Sequence, residues 1–309
     1  MREVVTMRHL RITMVSVLVL LAMLMSAVPV AGASAASQAQ KVPTLREIRA
    51  ARHDGYDRLV FEFSGGLPER TRVRWVDRVT ADGSGLPVRV AGNAFLDVSL
   101  FPVRAHRETG DFGSTYGPRR RAYDLPNIAT VVNSGDFEAV VSFGVGLMKK
   151  TSVMRTMRLR NPARYVIDVR TNFNRTRVRT WFFDAPRFVD NTSPFFRPVR
   201  RWVPTNAPAR GALHRVYAGP TQAERRDGLR LLRSRSTGFT NLRISSSKIA
   251  RVQLTGGCGS GGSTVTVAGE IMPTLRQFPT VRWVKIYDPQ GTTERPTGRV
   301  DSIPECLEP

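Results

Sequence analysis

Residues 52–63 read RHDGYDRLVFEF, and their pattern indicates the fold of the first half of the chain. Leu59, Phe61 and Phe63 fall at every second position, which is the pattern of a strand with one buried face. The DG pair at positions 54–55 is typical of a tight hairpin turn just before that strand. The stretch therefore predicts a hairpin whose strand buries one face.

The same alternation recurs from residue 44 to residue 169, where no segment has convincing helical spacing. Turns rich in glycine, aspartate and asparagine separate the alternating segments. Further strands are predicted at residues 71–76, 96–100, 128–133, 140–143, 153–159 and 165–169. Short strands at this spacing predict an all-β sandwich, with a long irregular loop over residues 103–127.

Beyond residue 170 the periodicity changes, and helices are predicted among the strands. One helix is expected to begin with Asn206 as its N-cap and Pro208 in its first turn. Thr221 and Glu224 form a capping-box pattern for a second, short helix. Strands are predicted at residues 180–183, 198–204, 242–244, 250–254 and 281–287, and a third helix within residues 264–278. This order predicts a small α/β layer domain, so the fold class is a two-domain α+β protein.

The first 36 residues have the three parts of a secretory signal peptide. Arginines come first, residues 12–30 form an apolar run, and residues 31–36 are small. We expect cleavage in the small residues, although the apolar run is long enough that an uncleaved membrane anchor is the alternative. No later stretch is apolar enough to span a membrane. The mature chain is therefore expected to be secreted or to lie in the extracytoplasmic cell envelope.

The sequence contains two cysteines, Cys258 and Cys306. An exported chain enters an oxidising compartment, where two cysteines can pair. A bridge between them would tie the C-terminal tail to the glycine-rich turn at residues 257–262. We therefore predict one disulfide and no free thiol.

The chain is strongly basic, with a formal net charge of +22 and a pI near 11.4. Outside a cell, an arginine-rich surface attracts wall phosphates, carboxylates and lipid head groups. Lysine occurs only at positions 41, 149, 150, 248 and 285, and such an arginine bias is also what a GC-rich genome produces without selection for binding. Both explanations stay open. Such a charge normally favours nucleic acid, but export argues against that partner.

No residue pattern typical of catalysis or metal binding occurs in the sequence. The four histidines lack the spacing of a zinc-binding HExxH motif, and the glycine run at residues 259–262 lacks the GK[ST] ending of a phosphate-binding loop. We therefore expect no catalytic residue, no metal and no cofactor. The alternative is a hydrolase that uses carboxylates such as Asp136 and Glu138.

Four segments of the first half resemble the AMIN-like domain of secreted actinobacterial proteins. They are residues 52–63, VTADGSG at 79–85, GDFE at 135–138 and SFGVGL at 142–147. The resemblance covers residues 44–172. It implies a noncatalytic β-sandwich of the cell envelope, associated with peptidoglycan binding and with the localisation of envelope machinery.

The second half is similar to the GerMN domain, which is named for spore-germination and sporulation proteins. The segments that carry the similarity are TWFF at 180–183, AGPT at 218–221, ER at 224–225 and TLRQFPTV at 274–281. The domain is placed at residues 178–309, including a disulfide-closed C-terminal extension. The similarity implies interaction or assembly at the envelope, without catalytic residues.

Two groups of polar residues are candidate ligand contacts. His53, Asp54, Tyr56 and Arg58 lie at the predicted hairpin corner, where Tyr56 would stack on a sugar and Arg58 would bind a carboxylate. Their alternative is structural, with Arg58 paired to Asp57 or to a neighbouring strand. The second group is the run Arg119, Arg120 and Arg121. Its alternative interpretation is a solvated loop without a ligand.

Together these patterns predict a secreted, noncatalytic protein that docks on cell-wall glycan or on an anionic wall polymer, with an envelope protein as a possible partner. The alternative is a cell-wall hydrolase, or a hydrolase accessory, acting on wall glycan.

Overall fold

The structure is a computed structural model that describes residues 42–108, 110 and 113–309. The predicted signal peptide at residues 1–36 lies outside the described residues. Within the described part of the chain, no helix is long and apolar enough to cross a membrane.

The first half forms two antiparallel sheets, in the strand orders β1-β2-β9-β8 and β3-β4-β7-β6-β5. The strands are β1 (Thr44–His53), β2 (Tyr56–Ser64), β3 (Arg70–Val76), β4 (Ala94–Phe101), β5 (Arg120–Ala122), β6 (Ile128–Phe137), β7 (Val140–Leu147), β8 (Val153–Leu159) and β9 (Ala163–Arg170). The predicted all-β architecture is confirmed, because each predicted segment overlaps a strand.

The core of this half lies between the two sheets. Phe61 of β2 and Phe143 of β7 are fully buried, and their ring centroids lie 5.2 Å apart across the layer. Leu59 and Phe63 are buried on the same face of β2 as Phe61. Burial of one such side chain contributes about 1.5–3 kcal/mol, so the alternation of β2 fixes which of its faces points inward.

The connection over residues 103–127 is more ordered than predicted. It contains β5, which pairs with β6, and isolated bridges join Thr44 to Arg104 and His106 to Ser114. Arg120 and Arg121 therefore lie in an edge strand instead of an irregular loop. No sequence pattern indicated this strand, because β5 has only three residues and no apolar alternation.

The second half contains two three-stranded sheets, β11-β10-β12 and β13-β14-β15. Its elements are β10 (Arg175–Asp184), α1 (Ala185–Val189), β11 (Phe196–Pro204), α2 (Pro208–Ala218), α3 (Gln222–Arg226), β12 (Leu229–Arg230), β13 (Ser236–Ile244), β14 (Ile249–Gly256), α4 (Ala268–Arg276) and β15 (Trp283–Tyr287). Helices α2 and α4 pack on each other and on strands of both sheets. The predicted α/β layer architecture is confirmed.

The helix boundaries confirm one capping prediction and correct another. The capping box of α3 is present, since Thr221 N–H donates to Glu224 and Glu224 N–H donates to the Thr221 hydroxyl. The N-cap of α2 is Ala207, without a side-chain cap, so the prediction of Asn206 was wrong by one residue. Pro208 takes the first helical position, where its missing N–H costs nothing and its fixed φ already suits a helix.

The structure joins Cys258 and Cys306 in a disulfide, with their Cα atoms 5.7 Å apart. Beside the bridge, Ser260 N–H donates to the Cys306 carbonyl at 2.7 Å. Farther along the tail, Lys285 Nζ donates to the Thr297 carbonyl at 2.9 Å. The predicted disulfide is present, and the tail packs against the second half.

Candidate functional site

The predicted corner residues surround a two-residue turn between β1 and β2. His53 and Tyr56 face each other across the turn, with ring centroids 4.8 Å apart and an interplanar angle of 6°. Asp54 is exposed at the tip, and Gly55 has a φ of 78°, which favours glycine. The two rings therefore form one stacked aromatic unit at the end of the sheet.

Arg58 is paired inside the protein with Asp168, which lies opposite it on β9. Arg58 Nε donates to Asp168 Oδ1 at 2.7 Å and Nη2 donates to Oδ2 at 2.8 Å. From the other side, Arg155 Nε donates to Asp168 Oδ2 at 2.8 Å. Burial alone would raise the pKa of Asp168, but the hydrogen bonds from the two arginines outweigh it and lower the pKa. The neighbouring-strand alternative therefore describes Arg58, while ligand contact by its free donors stays a prediction.

Asp57 points to the opposite side of β2 and is fully buried. Its Oδ2 accepts hydrogen bonds from Asn127 N–H at 2.6 Å and from Ile128 N–H at 2.9 Å. Burial raises its pKa, against the effect of these bonds and of the positive charges of Arg215 and Arg175. The sequence contained a signal for this role, because Asp57 is in phase with the inward-facing Leu59.

Arg215 of α2, in the second half of the chain, binds the segment next to Asn127 and Ile128. It is fully buried and donates to the carbonyls of Trp202 and Tyr123, each at 2.9 Å, and to that of Leu125. Burial lowers the pKa of Arg215 to about 9, so the group is still charged at neutral pH. Residues 123–128 are thus held by a carboxylate on their N–H groups and by a guanidinium on their carbonyls.

Three further arginines surround the Trp202 ring. The guanidinium carbons of Arg52, Arg175 and Arg177 lie 5.3, 5.7 and 4.9 Å from its centroid. Arg177 also pairs with Asp124 at 2.9 Å. Residues from both halves of the chain therefore meet around one indole, which strengthens the junction by cation–π contacts.

The arginine run is divided among three environments. Arg119 is exposed, and Arg121 donates to the Tyr116 carbonyl. Arg120 instead lines a cavity of about 330 Å³ at the junction of the two halves. The other residues that line this cavity are Arg89, Pro220, Arg225, Leu229, Arg230, Leu231 and Arg233.

Comparison with protein families matches each half separately. The profile of the AMIN-like domain matches residues 43–171, and the Germane profile, described as sporulation and spore germination, matches residues 182–287. The chain carries an AMIN-like domain followed by a Germane domain. No curated protein and no solved structure matches the chain.

Each of the two domain families indicates a general functional setting. An AMIN-like domain is typically extracytoplasmic and suggests association with the cell wall, whereas a Germane domain suggests a role related to sporulation or germination. The stacked corner and the Arg58–Asp168–Arg155 cluster belong to the AMIN-like domain. The arginine-lined cavity takes residues from both domains.

The carboxylates of the hydrolase alternative lie at the β6–β7 hairpin of the AMIN-like domain. Asp136 Oδ2 is 3.0 Å from His106 Nδ1, and Glu138 is exposed in the turn. Over the described ranges, no group of three or more His, Cys, Asp or Glu side chains could hold a metal ion.

Glu270 of the Germane domain is a fully buried acid. Its Oε1 accepts from Leu232 N–H at 3.1 Å and Phe183 N–H at 3.3 Å, while Oε2 is buried with no partner in the described structure. Burial raises its pKa well above the usual value, against the opposing effect of the two backbone hydrogen bonds. The folded domain therefore keeps a proton on Glu270 at pH values where the unfolded chain has released it.

Because Glu270 is buried as an acid, we expect the protein to lose stability as the pH rises. Because the folded-state pKa is raised, the free energy of unfolding falls as pH rises from the usual glutamate range toward the folded pKa, by up to about 1.4 kcal/mol per pH unit. Glu270→Gln should remove this loss, so its stability advantage over the wild type should grow with pH. Urea unfolding at about pH 4.5 and about pH 8 measures it, with the exposed Glu305→Gln as control. An advantage that stays constant with pH would contradict the assignment.

Proposed function

We propose that this protein is a noncatalytic protein of the cell envelope that acts outside the cytoplasm and binds cell-wall polymer through its AMIN-like domain. The observation that carries the proposal is the stacked His53–Tyr56 pair beside the Arg58–Asp168–Arg155 cluster, both on the four-stranded sheet of that domain. The suggested cell-wall association of AMIN-like domains supports the same conclusion. The bridge between Cys258 and Cys306 fits an oxidising extracytoplasmic compartment.

The chemistry of this surface suits a glycan that carries carboxylates. An aromatic ring offers an apolar face to a sugar ring, and a guanidinium binds a carboxylate through paired hydrogen bonds. Arg58 uses Nε and Nη2 on Asp168, which leaves Nη1 free of partners in the described structure. Because Asp168 already fixes Arg58 and Arg155, binding would lose little side-chain entropy.

For the Germane domain we propose a role in assembly with an envelope protein. The family description, sporulation and spore germination, supports a role of this domain in those processes. The Germane domain would then connect the wall-bound AMIN-like domain to its partner. Cross-linking in intact cells, followed by identification of the linked proteins, tests this role, and cross-links only to copies of the chain itself would contradict it.

Retention of the purified protein on isolated cell wall tests the wall-binding proposal. The assay compares low with moderate salt, and intact wall with wall stripped of anionic polymer by mild acid. Retention that survives moderate salt on stripped wall supports a shaped glycan site. Retention that disappears with salt or with the anionic polymer assigns the interaction to charge alone, and no retention contradicts wall binding.

A single substitution distinguishes wall binding by the stacked corner from wall binding by the overall positive charge. Tyr56→Ala removes the aromatic face without changing the net charge, and we expect about tenfold weaker retention on stripped wall. Phe137→Ala is the matched control, because Phe137 is a 67% exposed aromatic residue on the other sheet of the same domain. Equal retention of the two variants would show that the corner takes no part.

A further inference from the structure

The cavity of about 330 Å³ at the junction is lined by five arginines and by no acidic residue. Arg89 and Arg120 come from the AMIN-like domain, and Arg225, Arg230 and Arg233 come from the Germane domain. Arg120 and Arg233 are half-buried, while the other three are exposed. A cavity of this composition carries a concentrated positive charge that the fold itself has assembled from two domains.

In the part of the chain that the structure describes, no carboxylate is paired with this cluster. Within the described residues, none of the five arginines forms an ion pair with Asp or Glu. Arg225 and Arg230 donate to nearby backbone carbonyls at 3.0 and 2.7 Å, and Arg120 donates to the Arg89 carbonyl. Each guanidinium has five N–H donors, so most donors in the cavity have no acceptor among the residues that the structure describes.

The arginines also repel one another. The pKa of Arg120 is lowered to about 10, first by burial and then by the charges of Arg233, Arg225 and Arg89. Burial and neighbouring arginines also lower the pKa values of Arg225 and Arg233. The clustered charges therefore cost the fold free energy that a bound anion would recover.

We propose that this cavity binds a phosphate group, held by guanidinium groups of both domains. A phosphate has several equivalent oxygens arranged tetrahedrally, so guanidinium groups on different sides can each donate to it at once. A carboxylate has only two acceptor oxygens in one plane and satisfies fewer of the five arginines. This inference does not depend on the proposed glycan surface, which uses none of the cavity residues.

A second cavity of about 200 Å³ adjoins the first and gives the phosphate room to carry an organic group. Arg89, Arg120 and Arg233 line both cavities, and His214 and Phe239 line only the second. His214 Nε2 is buried without a hydrogen-bond partner in the part of the chain that the structure describes. Burial lowers the pKa of His214 to about 3, so it would meet a ligand as a neutral ring. Free phosphate and a phosphate borne on a larger molecule both fit this arrangement.

Calorimetric titration of the full protein with inorganic phosphate, at constant ionic strength set by chloride, tests the proposal. We expect saturable binding to the wild type. Arg120→Gln/Arg233→Gln should weaken it by at least about 100-fold, because each lost charged hydrogen bond is worth roughly tenfold or more. The matched control is Arg72→Gln/Arg160→Gln, which removes the same charge from exposed arginines that have no ion pair in the described structure. Equal weakening by both double variants would overturn the proposal.

A second arm uses a glycerol-phosphate oligomer as the probe and distinguishes the sources of phosphate. Binding of both probes with the same loss in Arg120→Gln/Arg233→Gln assigns the site to the phosphate group itself, and binding of the oligomer alone assigns it to polymer phosphate. Binding of neither overturns the proposal. Without ligand, Arg120→Gln/Arg233→Gln should unfold at no lower temperature than the wild type, because repulsion is relieved. That unfolding temperature, measured beside the titrations, distinguishes lost binding from misfolding.

Discussion

Replacing Arg215 with alanine is expected to lower the free energy of unfolding by at least about 3 kcal/mol. The buried guanidinium supplies hydrogen bonds to the main-chain carbonyls of Trp202, Tyr123 and Leu125. Alanine would leave these carbonyls without donors, and an unsatisfied buried group costs about 1–3 kcal/mol. The missing side chain would also leave a cavity, which adds to the loss. Urea unfolding at neutral pH measures the change.

The control for this prediction is Arg210→Ala, which removes a half-buried arginine from the same helix. The side chain of Arg210 makes no hydrogen bond or ion pair in the described structure, so the change is expected to stay near about 0.5 kcal/mol. Arg215→Lys keeps the charge but not the planar fork, and should fall between the two alanine variants. Equal shifts for Arg215→Ala and Arg210→Ala would contradict the role given to Arg215.

The reason for this large effect is the pairing of charges around residues 123–128. Asp57 of the AMIN-like domain accepts from two N–H groups of the segment, and Arg215 of the Germane domain donates to carbonyls of the same segment. Each charge thus faces the end of the peptide dipole that it attracts. The segment is thus bonded to a residue of each domain. Loss of Arg215 should therefore increase hydrogen exchange in residues 123–128 as well as in α2.

The features that could be predicted from the sequence are those set by local patterns. Alternation in Leu59, Phe61 and Phe63 identifies the buried face of β2, because a strand exposes successive side chains to opposite sides. Thr221 and Glu224 identify the start of α3, because both capping bonds connect residues three positions apart. In each case the residues that act together lie within a few positions of one another in the sequence.

The junction could not be predicted in this way, because its partners are far apart in the chain. Arg215 contacts carbonyls that lie 90 and 92 residues earlier. The arginine cavity combines Arg89 and Arg120 with residues of the second domain. An alternating or helical pattern does not indicate which distant residues lie close together in the fold. Asp57 is an intermediate case, since its inward phase was visible but its two N–H partners, 70 and 71 residues later, were not.

Removing the disulfide is expected to destabilise the protein strongly. In the chain-entropy model, Cys258→Ser/Cys306→Ser should lower the free energy of unfolding by about 4 kcal/mol, because the bridge spans a sequence separation of 48 residues. Reduction of the wild type with a thiol reagent should produce the same loss, and the same reagent should not affect the double variant. Urea unfolding of both proteins, with and without reductant, provides the measurement.

The loss of stability should be distributed unevenly over the chain. Without the bridge, the tail keeps the contact of Lys285 with the Thr297 carbonyl and that of Val284 N–H with Asp301. The segment around Cys306, where Leu307 is buried and Ser260 N–H donates to the Cys306 carbonyl, loses its covalent cross-link to residue 258. Hydrogen exchange should therefore increase near both former cysteines and in α4, while β2 and β9 of the AMIN-like domain keep their protection. An unchanged unfolding midpoint, or two reactive thiols in the untreated protein, would mean that packing alone holds the tail.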